Sequence, residues 1–171
     1  MNAYGLEADR VGMVSDTSVQ IQNKGKTTVA ELSATMGKII PTANSMGVSL
    51  DQLGAGYALM TSKGIATAET TTYMNSLLNE LGKSGTKASE ALKKGTGKTF
   101  QELTVGGYPL GDVLVMLEKE AKKSGVSLAD MFGSAEAGKA ALVLATDSGE
   151  AFNSLLEDME NSLGATDAAF E

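Results

Sequence analysis

The run GTGKT at residues 95–99 is the segment of this sequence whose residue types come nearest to a known chemical motif. It resembles the end of the phosphate-binding motif G-x-x-x-x-G-K-[ST], in which backbone N–H groups and the lysine hold phosphates. Leu92 stands where that motif requires its first glycine, and the preceding residues, KASEALKK, are polar and helical rather than a buried strand. We therefore interpret the run as a helix end followed by a helix start that Thr99 caps.

Two other arrangements could support catalysis. Ser84 and Lys87 have the S-x-x-K spacing of serine–lysine acyl transfer, but the accompanying S-D-N and K-T-G motifs are absent from the sequence. Paired carboxylates could hydrolyse a glycoside, yet no acidic residue lies in an apolar run that would raise its pKa. The acidic cluster Glu157, Asp158 and Glu160 is typical of a solvated helix face.

The composition excludes several further classes of chemistry. Among 171 residues there is no cysteine and no histidine, so disulfides, thiolate or imidazole zinc sites and Ser-His-Asp catalysis are ruled out. A net charge of −7 opposes non-specific binding to nucleic acids. The longest aliphatic run, residues 140–145, is far shorter than the ~20 residues that span a membrane. We expect no catalytic, cofactor-binding or metal-binding residue, no specific nucleic-acid binding and no membrane span.

The apolar residues recur with helical spacing along most of the chain. Leu110, Val113, Leu114 and Leu117 follow the i, i+3, i+4, i+7 pattern of an amphipathic helix. The periodicity predicts an all-α fold, a compact multi-helix domain of short capped helices. The predicted helices are 5–23 (where alternation also allows a strand), 28–46, 50–63, 67–82, 87–94, 99–105, 110–123, 128–145 and 149–163.

The helix starts are marked by capping residues. GVSLDQL at residues 47–53 and GVSLADM at residues 125–131 are near copies, and each places a serine, Ser49 or Ser127, at the N-cap. Thr99 and Glu102 have the spacing of a full capping box. A glycine precedes each cap, where it can end the previous helix with positive φ. The 20 glycines of the chain therefore indicate boundaries between short helices.

The boundaries also suggest how the chain is organised. Pro41 should kink or split the helix predicted over 28–46, and the helix predicted over 128–145 should break near Gly133 and Ser134. Residues 95–109 are the least regular stretch and could connect two sub-bundles, residues 1–94 and residues 110–171. The alternative left open is that both segments pack as one domain.

Residues 27–81 resemble the conserved core region of phage tail tape measure proteins. The order and spacing of the matching residues carry this resemblance, since no single piece is diagnostic. In this segment they are Thr28, Glu31, Leu32, Gly37, Pro41, Thr42, Ala43, Gly47, Ser49, Leu50, residues 53–60, Gly64, Ile65, Ala68, Glu69 and Thr70. Downstream, the similar residues are Phe100, Leu103, Leu110, Asp112, Val113, Leu114, Met131, Phe132, Gly133, Ala140, Ala141, Leu142 and residues 164–170.

The resemblance implies a structural role in a phage or prophage tail. Proteins of this family occupy the tail lumen and set tail length, and they have no catalytic residues in this region to carry over. The implied partners are tail tube and tail-assembly proteins, with self-association as a further option. The implied location is the virion tail, and the host cytoplasm during assembly. Because the family's members are usually much longer, we expect the chain to be a piece of one, continuing beyond Glu171.

The residues qualify that resemblance. A continuous helix of 171 residues would be roughly 250 Å long, whereas these helices are short, capped and separated by glycines. We therefore expect a compact module within a longer ruler rather than the measuring rod itself. Two alternatives remain: a helical protein–protein binding module of a bacterial or mobile-element protein, and an uncharacterised hydrolase.

Overall fold

The computed structural model describes Leu32 and residues 35–161. The helix predicted over 5–23, most of residues 28–34 and the motif at 164–170 lie outside this part of the chain. Within it, the regular elements are all helical, which confirms the all-α prediction. They are α1 (Ile40–Ser45), α2 (Leu50–Ser62), α3 (Thr67–Gly82), α4 (Lys87–Thr96), α5 (Phe100–Val105), α6 (Leu110–Lys123), α7 (Ala135–Leu144) and α8 (Glu150–Glu160), with 3-10 turns at Met36–Lys38, Ala129–Met131 and Thr146–Gly149.

Two predicted helices are shorter than the periodicity indicated. In place of the second half of the helix predicted over 28–46, a 3-10 turn precedes the six-residue α1, with Pro41 in the first turn of α1. Proline lacks an N–H and is tolerated there, so the split at Pro41 is confirmed. The break predicted near Gly133 and Ser134 in the helix over 128–145 is confirmed: the segment before it forms only the 3-10 turn Ala129–Met131. The Ser134 hydroxyl accepts a hydrogen bond from Ala137 N at 3.2 Å, and α7 begins at Ala135.

Helix α2 is the centre of the molecule and contacts α1, α3, α7 and α8. Every residue from Gln52 to Thr61 is buried, because this helix is apolar or small on all sides. Gly56 lets α3 approach closely: a Cβ there would lie 2.6 Å from Cε of Met74. The central position of α2 thus depends on its small residues as much as on its leucines.

The most extensive helix contacts join the two halves of the chain. Helix α3 packs on α7 and α2 packs on α8, while α4 packs on α6. The buried apolar residues form one continuous core cluster from Leu32 to Met159. The division into segments 1–94 and 110–171 around a connector stays a prediction. The shared core favours the alternative in which both segments pack as one domain.

Glycines end the helices as predicted. Gly47, Gly97, Gly107 and Gly125 all have positive φ. After Gly125 the amide of Val126 donates to Ala121 O at 3.0 Å, which closes the last turn of α6 in a Schellman arrangement. These four glycines therefore lie where the chain reverses between helices, as the sequence predicted, while others, such as Gly56, lie inside helices.

Helix α6 begins without a capping side chain of its own, and Gln52 of α2 supplies the missing acceptor. The Gln52 Oε1 atom accepts a hydrogen bond from Leu110 N at 2.7 Å, and both residues are buried. We expect Gln52→Leu to lower the free energy of unfolding by about 1–3 kcal/mol, because a buried N–H is then left without an acceptor. Urea denaturation followed by far-UV circular dichroism measures this loss.

Gln101→Leu is the matched control for that experiment. In the wild-type chain the Gln101 side-chain amide donates to Gly82 O at 2.9 Å. The position is half-buried, so water can replace the lost donor in the variant. We expect a smaller loss of stability from this variant. Equal losses from the two substitutions would show that burial of the Leu110 amide is not what matters.

Candidate functional site

The GTGKT run forms a helix end and a helix start. Helix α4 ends at Thr96, and Gly97 takes a left-handed conformation with φ 76°. The Thr99 hydroxyl accepts from Glu102 N at 3.2 Å, and Glu102 Oε1 accepts from Thr99 N at 2.9 Å. This reciprocal pair is a full capping box, as the spacing predicted. The residues that resemble a phosphate loop are thus used to reverse the chain between α4 and α5.

Of the Ser84 and Lys87 pair, Lys87 has a partner elsewhere in the fold. The Lys87 ammonium donates to the backbone oxygen of Asp130 at 2.9 Å, which links the start of α4 to the 3-10 turn before α7. Ser84 is exposed in the turn between α3 and α4. Lys87 therefore has a structural partner in the backbone of that turn.

The acidic cluster on α8 faces outward. Glu157 and Glu160 are exposed and Asp158 is half-buried. Within the described residues, the acidic side chains form no group that could hold a metal ion. In the same part of the chain, none of the helices has the length and apolar character that a membrane span requires.

A cleft of about 220 Å³ lies where the end of α3 meets α4 and α5. Its lining contains one carboxylate, Glu90, so it lacks the carboxylate pair that glycoside hydrolysis needs. Gln101 and Ser89 already hydrogen-bond to Gly82 O and Thr86 O. The full lining is Leu81, Gly82, Ser84, Ser89, Glu90, Lys93, Thr99, Phe100 and Gln101.

Tyr57 is a buried ionisable residue of the core, on the central helix. Its hydroxyl shares a short hydrogen bond with Thr71 of α3. Burial raises the pKa of Tyr57, and hydrogen bonds to Thr71 and Thr35 oppose that rise only in part. The phenol therefore stays neutral and ties α2 to α3, with no exposed surface on which to meet a substrate.

The structure does bring polar side chains together, at the ends of helices. We call the hydrogen bonds from a side chain of one helix to the end of another the tie contacts. Glu80 of α3 makes the largest set: its carboxylate accepts from Gly133 N at 2.5 Å, from Ser134 N at 3.2 Å and from Ser134 Oγ at 2.7 Å. The others are Gln52 to Leu110 N, Thr104 to Met46 O, Gln101 to Gly82 O and Lys87 to Asp130 O.

Sequence reasoning did not predict the tie contacts. Each joins residues 19 to 58 positions apart, and no local spacing marks the partners. They fix the relative positions of helix ends and offer no converging nucleophile, base or metal ligand. The arrangement is therefore that of a packed structural module.

The comparisons with known proteins agree with that description. The sequence profile of the phage-related minor tail protein family matches residues 1–120. The chain belongs to this family. Over 176 aligned positions it is 44% identical to a probable tape measure protein of Clostridium phage phiCD119, a match that covers 99% of this chain and 19% of the relative.

A second relative lies further away. The tape measure protein of Pneumococcus phage Dp-1 is 26% identical over 118 residues, which covers 69% of this chain and 10% of that protein. The chain therefore spans a fifth or less of the length of these two relatives. No solved structure gives a significant match. The family resemblance expected from residues 27–81 is confirmed, and the chain is homologous to one segment of much longer phage tail proteins.

Ser127 and Asp130 form a second reciprocal pair: Ser127 N donates to Asp130 Oδ2 at 3.2 Å, and Asp130 N donates to Ser127 Oγ at 3.3 Å. This pair and the Thr99–Glu102 capping box make stability depend on pH. Hydrogen bonds from the Thr99 backbone and hydroxyl lower the pKa of Glu102 below 4.5. Those from the Ser127 backbone and hydroxyl lower the pKa of Asp130 below 3.8. Each carboxyl binds protons more weakly in the folded chain than in the unfolded chain. Its contribution to the free energy of unfolding is therefore fully present at pH values above its ordinary pKa, and it is lost as the pH falls through the lowered pKa of the folded state.

We expect the urea midpoint to fall as pH drops below 4.5, and Glu102→Gln to remove part of that dependence. Both carboxyls are exposed, so the effect should shrink at high salt. Glu157→Gln, which alters an exposed carboxyl on α8, serves as the control. If the control flattens the pH profile as much as Glu102→Gln does, the caps are not its source.

Proposed function

We propose that this chain is a compact helical module of a tape measure protein, with a structural role in a phage or prophage tail. The observation that supports it best is the 44% identity to a probable tape measure protein over 99% of the chain. The packed core and the structural contacts of Lys87 and Thr99 support this role.

The proposal includes partners and places. The module would act inside the tail of the virion, among tail tube and tail-assembly proteins, after assembly in the host cytoplasm. Self-association is a further option within the same role. The alternative of a helical binding module in a bacterial or mobile-element protein shares the fold but predicts no presence in virions.

Mass spectrometry of purified virions from the phage or prophage that encodes the chain separates the two proposals. We expect peptides of this chain in the tail fraction. A full reading frame of tape measure length beside tail tube genes would support the same conclusion. Absence of the chain from intact tails, or unrelated neighbouring genes, would favour the binding module.

An in-frame deletion tests whether the segment measures length. Removing 171 residues of continuous helix would shorten the tail by roughly 250 Å. A compact module occupies much less length along the tail axis than a continuous helix does. We therefore expect the deletion to shorten the tail by far less than about 250 Å. An equally long deletion elsewhere in the same gene is the control. Shortening by the full helical length would contradict the compact role and would leave the tail location intact.

A further inference from the structure

The connection between α7 and α8, residues 145–149, ends in three successive residues in left-handed conformation. Asp147 has φ 54°, Ser148 has φ 56° and Gly149 has φ 83°. Among the described residues, Asp147 and Ser148 are the non-glycine residues with positive φ. Their Cβ atoms crowd the backbone in this conformation, which glycine alone adopts freely. The bend is therefore placed on two residues that disfavour it.

Contacts with the start of α6 hold the bend in place. Gly149 lies so close to α6 that a Cβ on it would be 3.0 Å from Gly111 O. The Asn153 amide donates to Asp112 Oδ1 at 2.8 Å, while its Oδ1 atom is buried without a partner. The apolar side of α8, including Phe152, packs into the core. Tertiary packing, rather than local preference, thus maintains the bend.

The apolar pattern of α7 continues into α8 as if there were no bend. At about 100° per residue, one face of a straight helix would carry a stripe at alternating intervals of four and three residues. The apolar members of this stripe are Ala137, Ala141, Leu144, Ala151 and Leu155, and the position at the hinge is the small polar residue Ser148. Residues 145–149 contain no proline, and Gly149 would weaken a continuous helix without stopping it. The same residues are therefore compatible with a single helix over 135–160.

We propose that residues 147–149 are a hinge at which the module opens. On opening, Asp147 and Ser148 pass to right-handed helical conformation, α7 and α8 join into one helix about 39 Å long, and α8 leaves α2. The closed form predominates in the isolated chain because Phe152, Leu156 and Met159 are buried there. The hinge goes beyond the proposed tail role, because it names where the compact module gives way to a longer, thinner shape.

Spin labels can measure the opening directly, since the chain has no cysteine of its own. Lys139→Cys and Glu157→Cys place labels at exposed positions on α7 and α8. In the straight helix these positions are about 27 Å apart. Pulsed electron paramagnetic resonance measures the distance between the two labels. The distance in the doubly labelled chain with an unchanged hinge is the reference for the closed form. Backbone NMR couplings of Asp147 and Ser148 report the sign of φ independently.

Two hinge variants, made in the 171-residue chain, bias the equilibrium in opposite directions. The triple change Asp147→Ala, Ser148→Ala and Gly149→Ala disfavours left-handed conformation and favours helix. We expect it to retain helical circular dichroism and to populate the separation of about 27 Å with negative φ at both positions. The control pair Asp147→Gly and Ser148→Gly should keep the closed separation and raise the folded-to-unfolded ratio roughly fivefold to tenfold.

Three outcomes would overturn the hinge. The first is a triple alanine variant that keeps the reference separation and positive φ. The second is a triple variant that loses its helical signal instead of lengthening. The third is a glycine pair with no gain in stability, since the left-handed residues would then carry no strain. None of these results bears on whether the chain is present in phage tails.

Discussion

Replacing Phe152 by alanine is expected to lower the free energy of unfolding by about 3–5 kcal/mol. Phe152 is fully buried on α8. A Cβ atom added at Gly111 of α6 would lie only 3.1 Å from Cδ2 of Phe152, so the backbone of α6 packs directly against the ring. Removing the ring takes away apolar burial and leaves a cavity beside two helices. Since small domains are stable by only ~5–15 kcal/mol, this variant should be close to unfolding.

Urea denaturation followed by far-UV circular dichroism measures the effect. Leu142→Ala is the control, because Leu142 is 51% exposed on α7 and its loss should change stability by less than about 0.5 kcal/mol. Comparable losses from Phe152→Ala and Leu142→Ala would contradict the packing of α8 described above.

The second large effect is expected at Glu80. Glu80→Gln removes the charge that accepts three hydrogen bonds at Gly133 and Ser134, the start of α7. The glutamine side chain has one accepting oxygen where the carboxylate has two. The donors at Gly133 and Ser134 therefore cannot all keep their acceptors. We expect a loss of about 2–3 kcal/mol, because hydrogen bonds to charged groups contribute more than neutral ones.

Glu157→Gln removes the same charge from an exposed position on α8 and is the matched control. Hydrogen exchange adds a specific readout, since amides in the first turn of α7 should lose protection in Glu80→Gln alone. Protection that falls equally in α2 and α7 would indicate general destabilisation rather than loss of this tie contact.

The local helix signals in the sequence predicted much of the fold. The caps at Ser49 and Thr99 and the stop at Gly125 act between residues a few positions apart, so spacing alone reveals them. Helices α2, α3 and α6 begin and end within one residue of their predicted bounds, because the helical spacing of their apolar residues is also a local signal. The break predicted near Gly133 and Ser134 in the helix over 128–145 is also confirmed, because the Ser134 cap is a local signal of the same kind. The spacing of Leu128 and Met131 did not reveal that the segment before the break forms only a 3-10 turn, Ala129–Met131.

At the candidate site, too, the sequence predicted local features and missed contacts between distant residues. Lys98 and Thr99 could be separated from a phosphate loop by sequence alone, because Leu92 breaks the motif. The partner of Lys87, by contrast, is a backbone oxygen 43 residues away, which no pattern indicates. Such a contact depends on how α4 is placed against the turn before α7, and that placement follows from packing.

The sequence by itself determined the helical class, the short capped helices and the likeness to tape measure proteins. Local spacing and capping residues encode the first two. The order and spacing of the matching residues along the sequence carry the third. Only the tertiary structure decided that α2 is central, that Gln52 and Glu80 complete distant helix starts, and that Asp147 and Ser148 hold a left-handed bend. These features arise where burial of a shared core outweighs local backbone preference, and no short segment contains both sides of that balance.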